Sequence, residues 1–397
     1  MSLSVGIVGL PNVGKSTLFN ALLKRQAALA ANYPFATIEP NVGIVPVPDV
    51  RLALLARVVA GVKLPQEVMA VLDELTSLDL IDNLPAANNL PPIKPATVEF
   101  VDIAGLVAGA SRGEGLGNKF LAHIRETDLI VHVLRDFEAE NVIREGAKDP
   151  VSDLGTIRLE LILADLSTLE KQKPPKGTKD KAELARWQVI EEFKQALAEE
   201  KMLNQLINQT TLSEKKQLMR QVAKELGLIT AKAELFVVNV DETKLPKGVE
   251  NLTQGYASQL KVDKERVLVM SNQVESELSA LDEVDQKLYL EDLGLQSSGL
   301  SRLIQAAYRA LNLQSFLTAG EKEVKAWTIP IETPAARAAG VIHTDFEKRF
   351  IKAQVISWRE FVKLGGWKPA RELGKVRQEG KDYFIKDGEV VEFMIGS

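Results

Sequence analysis

Apolar and polar positions along the chain follow two periods. Residues 3–8 form a largely apolar run of strand length, and 97–102, 129–134, 234–239 and 266–270 repeat it with β-branched and aromatic side chains. Between them the period becomes helical. Leu18-Phe19-Asn20-Ala21-Leu22-Leu23 follows the first run, a helix over about 119–127 precedes the third, and Leu300, Leu303, Ile304, Ala307 and Leu311 mark a closing helix over 298–313. Strands alternating with helices predict an α/β core, a mostly parallel sheet with flanking helices.

One stretch breaks the alternation. Parallel neighbours normally need a crossover of about a dozen residues, yet about 95 separate the run ending at Leu134 from the one starting at Glu234. They carry helical periods at Ile157, Leu161, Ala164 and Leu166 (about 154–172), at Leu184, Trp187, Ile190, Phe193 and Leu197 (about 180–207), and over 213–226. This predicts an inserted α-helical hairpin or coiled-coil arm over 139–229, which splits the α/β domain into 1–138 and 230–315. The last 80 or so residues change character: a strand at 327–331, a short helix within 335–342 and a hairpin over 383–393 turning at Asp387-Gly388 predict a small α+β module over 316–397.

The chemistry starts at the first strand's end. Gly9-Leu10-Pro11-Asn12-Val13-Gly14-Lys15-Ser16-Thr17 is a G-x-x-x-x-G-K-[ST] loop between strand and helix, the P-loop pattern. Backbone N–H groups from Asn12, Val13, Gly14, Lys15, Ser16 and Thr17 would converge on phosphate, Lys15 would reach the β- and γ-phosphates, and Ser16 would give a hydroxyl to Mg²⁺. Thr97-Val98-Glu99-Phe100-Val101-Asp102-Ile103-Ala104-Gly105 ends in D-x-x-G, so that Asp102 would hold Mg²⁺ and the Gly105 N–H would meet the γ-phosphate. Thr37, in a proline-flanked loop, is either the threonine that completes the Mg²⁺ shell or an ordinary loop residue. Residue 106 is Leu where Ras-like enzymes carry a water-orienting glutamine, so the water must be positioned from elsewhere.

Three glycines at alternate positions in Gly113-Glu114-Gly115-Leu116-Gly117 suit a mobile switch, and the helix after it carries His123, structural or catalytic on position alone. His132 lies inside an apolar strand and reads as a core residue. Asn239-Val240-Asp241-Glu242 stands where GTPases carry N-K-x-D. Glutamate moves the carboxylate by about one methylene, enough to spoil a bidentate bond to guanine. Ser271-Asn272 follows the next strand, where the base-side loop should lie.

Composition narrows the classes. Lys+Arg 49 against Asp+Glu 54 gives a formal charge of −5, so no global basic field draws the chain to DNA or to anionic membrane. The absence of Cys excludes disulfides, thiolate metal sites and thiol catalysis, and suits a reducing cytoplasm. No run reaches the roughly 18 apolar residues of a membrane helix, so a soluble cytoplasmic chain is expected. Between Lys348 and Lys386, however, eleven Lys/Arg face four Asp/Glu, which is either an RNA or ribosome surface or a solvated face.

Taken together, Asn32-Tyr33-Pro34-Phe35-Ala36-Thr37-Ile38-Glu39-Pro40-Asn41, Phe100-Val101-Asp102-Ile103-Ala104-Gly105-Leu106-Val107, Gly113-Glu114-Gly115-Leu116-Gly117-Asn118-Lys119-Phe120-Leu121 and Ala339-Gly340-Val341-Ile342-His343-Thr344-Asp345-Phe346-Glu347-Lys348 resemble the YchF family of Obg-like ATPases over nearly the whole chain. The resemblance implies an α/β P-loop NTPase with a coiled-coil arm and a C-terminal β-grasp (TGS) domain. It implies ATP preferred over GTP, slow Mg²⁺-dependent hydrolysis, ribosome association through rRNA and the large-subunit surface, and a regulatory role in translation or stress. It assigns the missing glutamine's task to His123, base contacts to Asn239, Val240, Glu242 and Ser271, and to Asn12 a likeness to K⁺ ligands of related NTPases. Two rivals stay open, an Obg-type GTPase and a ribosome-binding module with incidental hydrolysis. Residues from about 63 to 92 look like an insertion without an assignable task.

Overall fold

The computed structural model describes residues 3–30, 41–75, 84, 87–103, 116–138, 149–175, 177 and 179–396. Among them run β1 Ser4–Val8, β2 Val42–Pro46, β3 Ile93–Lys94, β4 Thr97–Asp102, β5 Leu129–Asp136 and β6 Ala233–Val240. There follow β7 Val267–Met270, β8 Leu313–Ala319, β9 Val324–Pro330, β10 Phe350–Ser357, β11 Arg377–Glu379 and β12 Glu389–Ile395. They make two six-stranded sheets in two compact units, 1–45 with 99–300 and 46–98 with 301–397.

In the first unit the order is β2-β4-β1-β5-β6-β7, with β4, β1, β5, β6 and β7 parallel. Parallel strands are covered on both faces, which is why β1 is buried at every position and apolar after Ser4. Register Ile7↔Asp102 brings the carboxyl ends of β4 and β1 level, while Val8↔His132 leaves β5 running on to Asp136. The chain leaves β1 towards β4 on one side and β5 on the other, so the strand order reverses there and opens a crevice at those ends.

The inserted arm has a core of its own. Helices Pro150–Glu170, Lys181–Ala198, Leu203–Gln209 and Ser213–Glu225 bury Leu169, Ile190, Phe193, Leu203, Met219 and Val222 together. The single helix expected over 180–207 is two. The chain reverses at Glu200, left-handed at φ 56°, and Lys201 N–H bonds back to the Ala196 carbonyl at 2.9 Å, which lets Met202 and Leu203 enter the same core as Phe193. Where the arm meets the sheet, His132 is fully buried as expected, stacked on Phe236 and 2.9 Å from Glu234. Burial would push the Glu234 carboxyl up, but His132 and Arg158 outweigh it and hold the group at about 2.

The second unit's sheet is mixed, in the order β11-β10-β12-β8-β9-β3. Here the packing differs from the sequence expectation, which kept 46–98 with the first domain. That segment supplies β3, parallel to β9 with Ile93 opposite Val324, and the helix Val50–Val59, capped by Asp49. Its Arg51, buried, pairs with Asp49 and Asp387 at 2.7 Å each. Part of the unassigned insertion packs here too: Arg359 donates to the Leu72 and Leu75 carbonyls, and Lys363 pairs with Asp73. The closing helix stops at Ala310 and β8 begins at Leu313, so the units divide after 300 rather than after 315.

The hairpin expected over 383–393 is also absent. The Asp387-Gly388 turn exists, with Gly388 at φ 74°, but 383–387 is held by other partners: Ala335 N–H donates to the Tyr383 carbonyl, Ile385 N–H to that of Thr333, and Ser315 N–H to Asp387. Only β12 continues, antiparallel to β10 and parallel to β8. No helix among the described residues is long and apolar enough to cross a membrane.

Candidate functional site

β1 delivers the glycine-rich turn into the crevice, and the helix Lys15–Ala30 leaves it. Gly14 has φ 97°, and a Cβ there would lie 2.5 Å from Asn239 Nδ2 and 3.0 Å from Asn272 Nδ2, so this position admits only glycine. Asn12 is left-handed at φ 61°, as asparagine tolerates, and its side chain faces solvent. Val13 is buried beneath the turn, while Ser16 and Thr17 are exposed at the helix start.

Lys15 is 7% exposed and its Nζ donates to the Leu10 carbonyl at 2.7 Å, closing the turn on itself. Burial pulls its pKa down to about 8, opposed by the charge of Asp102. Burial in turn raises the Asp102 carboxyl, opposed by Lys15. Asp102 sits at the end of β4, its N–H bonded to the Asn41 carbonyl at 2.9 Å. A hydroxyl at the start of the helix after β1 and a carboxylate at the end of β4 are hard oxygen donors of the kind Mg²⁺ takes beside phosphate oxygens, so Ser16 and Asp102 fit that ion.

The base side is built from amides. Asn239 Nδ2 donates to the Val13 carbonyl at 3.0 Å and its Oδ1 accepts from Asn272 N–H at 2.9 Å, while Asn272 Nδ2 donates to the Gly14 carbonyl at 3.0 Å. Two side chains from two strand ends thus fix the phosphate turn. Asn272 is the residue that sequence reasoning passed over as a site member; its only signal was its place beside Ser271, which is itself buried at the start of the helix Asn272–Leu278.

Val240 is buried in the sheet, so its side chain offers nothing to a base. Glu242 is exposed and opens the short turn of helix Glu242–Lys247. That turn is clamped through Lys244, which pairs with Asp136 at 2.7 Å, and Asp136 also accepts from the Tyr256 hydroxyl. His123 lies exposed on the helix Leu116–Glu126, at the edge of the buried face that carries Phe120 and Ile124. The structure therefore joins Val13, Gly14, Lys15 and Asn239 by direct contacts, adds Asp102 beside Lys15, and leaves His123 and Glu242 as exposed groups on their own elements. Thr37 and Gly105 lie outside the described residues.

Comparisons with known proteins identify the chain's relatives. A family model described as a 50S ribosome-binding GTPase matches residues 4–157, and the model of the YchF-GTPase C-terminal domain, described as a protein of unknown function, matches 313–396. The ribosome-binding ATPase YchF of Escherichia coli O157:H7 is 45% identical over 99% of both chains, and that of Bacillus subtilis 42% over 99% of both. The chain belongs to the YchF family. A solved YchF structure, named as the GTPase of Schizosaccharomyces pombe, superposes with a TM-score of 0.78 at 31% identity, covering 99% of this chain and 98% of that one. The YchF relationship accounts for the P-loop sheet, the helical arm and the separate C-terminal module seen here.

Proposed function

We propose that this YchF-family chain is a slow Mg²⁺-dependent ATPase that binds ATP in preference to GTP and acts as a ribosome-associated regulatory switch. The observation that carries the reading is the pair of amide bridges from Asn239 and Asn272 to Val13 and Gly14, which ties a base-side loop to a phosphate turn already holding Lys15. Such a site is shaped for a nucleoside triphosphate and not for phosphate alone.

In this reading Lys15 and the turn's N–H groups bind the β- and γ-phosphates, and Ser16, Asp102 and Thr37 would hold Mg²⁺, which when bound neutralises phosphate charge. Gly105 meets the γ-phosphate, and His123 orients the attacking water in place of the glutamine that Leu106 replaces. On the base side Glu242 and the buried Val240, standing where guanine readers carry aspartate and lysine, support adenine. Asn12 at the turn's exposed rim is the candidate K⁺ ligand, which turnover in KCl against NaCl would test.

Ribosome binding is supported by the C-terminal basic segment once its internal pairs are removed. Lys363, Arg371 and Arg377 are engaged by Asp73, Glu392, Glu379 and Glu389. Lys348, Arg349, Lys368, Lys375, Lys381 and Lys386 are exposed and carry no ion pair among the described residues. Contact with rRNA there would weaken steeply with salt.

Side-by-side titration with fluorescent ATP and GTP tests the choice of base. Tighter ATP binding by about tenfold, ~1.4 kcal/mol, is the expected outcome, and tighter GTP binding would overturn it. Replacing His123 with Ala should preserve ATP binding and lower turnover by about 10²-fold. Unchanged turnover would remove the histidine from the chemistry.

A further inference from the structure

The helix Leu116–Glu126 must hold His123 in register with the phosphate crevice, yet its buried face is a simple ridge of Phe120, Leu121 and Ile124. A ridge of that kind permits small slides and rotations. Two polar grips at the helix's far end remove that freedom, and both lead to the arm.

The first is Arg125. At 3.6 residues per turn it stands about 200° from His123, on the opposite side of the helix. Its Nη2 donates to Thr168 Oγ1 at 3.1 Å and to the Ala164 carbonyl at 3.5 Å, both on the arm helix Pro150–Glu170. The second is Lys232, whose Nζ donates to the Arg125 carbonyl at 2.7 Å and to the Thr127 carbonyl. Helix carbonyls at a C-terminus lack intrahelical partners, and a cation is the favourable cap.

Lys232 is itself held by the arm. Asn204, in the arm helix Leu203–Gln209, donates to the Lys232 carbonyl at 2.9 Å and to Glu234 at 3.1 Å. Buried Asp165, on the same helix as Thr168, accepts from Ile229 N–H at 3.0 Å and from Thr230 N–H at 2.8 Å, so the run entering β6 is fixed to the arm from both sides. Burial keeps the pKa of Lys232 down at about 8, with Asp128 and Asp165 opposing. Fold stability alone does not call for half-buried cations at such a junction, since apolar side chains of similar volume serve at least as well.

We propose that Arg125 and Lys232 are positioning residues for hydrolysis: through Thr168 and Asn204 they set the helix carrying His123 against the arm, so that the arm's packing sets the turnover rate. This rests on the assignment of His123 as the group that orients water.

The test measures kcat at saturating ATP, the ATP Kd and the melting temperature in the full-length chain for Arg125→Met, Thr168→Val and His123→Ala. The expected result is a fall in kcat of about fivefold or more in Arg125→Met and Thr168→Val, with ATP Kd held within about twofold, because misplacement remote from the chemistry is costly. Arg125→Lys and Thr168→Ser, which keep a donor and a hydroxyl, should retain most of the rate. Unchanged kcat in Arg125→Met and Thr168→Val, beside a large loss in His123→Ala, would overturn the positioning role alone. Unchanged turnover in His123→Ala would overturn the histidine's role and this one with it. Should Arg125→Met fail to fold, the Thr168 pair decides: Val must slow turnover and Ser must not.

Discussion

The two ends of the nucleotide site are made of different material. The phosphate end is backbone, a turn whose shape requires glycine at 14 and which buries the Lys15 side chain within it. At the base end the work falls to side-chain amides, Asn239 and Asn272, borrowed from two strand ends and bonded to the carbonyls of that turn. Backbone recognition imposes a fixed residue spacing and is tolerant of context. Support from side chains brought together from distant segments leaves no such spacing, which is why the phosphate end is written in the sequence as a motif and the base end is not.

The sharpest break in this comparison is Lys15→Ala, which should weaken ATP and GTP binding alike by about a hundredfold or more in an equilibrium titration, since a charge-assisted contact to phosphate is lost. Asn239→Ala comes next. It leaves the Val13 carbonyl and the Asn272 N–H without their partners, so both nucleotides should bind about tenfold or more worse, with ~1–3 kcal/mol lost in urea unfolding. Nucleotide discrimination should hardly change in either variant, because both act on the shared turn.

Acidity gives a smaller effect. Lys15 titrates near 8 in the free protein because burial disfavours its charge, Asp102 opposing. Phosphates favour the ammonium, so ATP affinity should be flat below about pH 8 and fall above it by up to about tenfold per pH unit, with a proton taken up on binding. An isotherm flat to pH 10, or one that strengthens, would show that Lys15 stays charged without nucleotide. The smallest effect belongs to Glu242→Asp, which should shift the ATP to GTP affinity ratio by a few-fold towards GTP without changing turnover of bound ATP.

The same contrast governs what could be read in advance. The strand, turn and helix around Lys15 were legible because period and glycine chemistry act within a dozen residues, and His132 was legible as a core residue because both its neighbours in sequence are apolar. Asn272 was not, since its role depends on Gly14 more than 250 residues away in the chain. The membership of 46–98 in the second sheet was hidden for a similar reason: β3 is two residues long and takes its register from Val324 and Lys325, with no pattern of its own. The hairpin over 383–393 failed because the Asp-Gly signal specifies a turn and not which strand comes next, and 383–387 found partners in 315 and 333–335.

The second unit's two-part construction also has a consequence in time. Its β3 and the helix Val50–Val59, with Leu52, Leu54 and Leu55 buried in the finished protein, leave the ribosome about 230 residues before β9 is made. At a synthesis rate of roughly 5–20 residues per second, those apolar side chains wait for roughly ten to fifty seconds while the entire P-loop sheet and its arm are completed. The nascent chain therefore carries a half-built layer through most of its synthesis, and the exposure ends only when the last quarter of the polypeptide arrives to cover it.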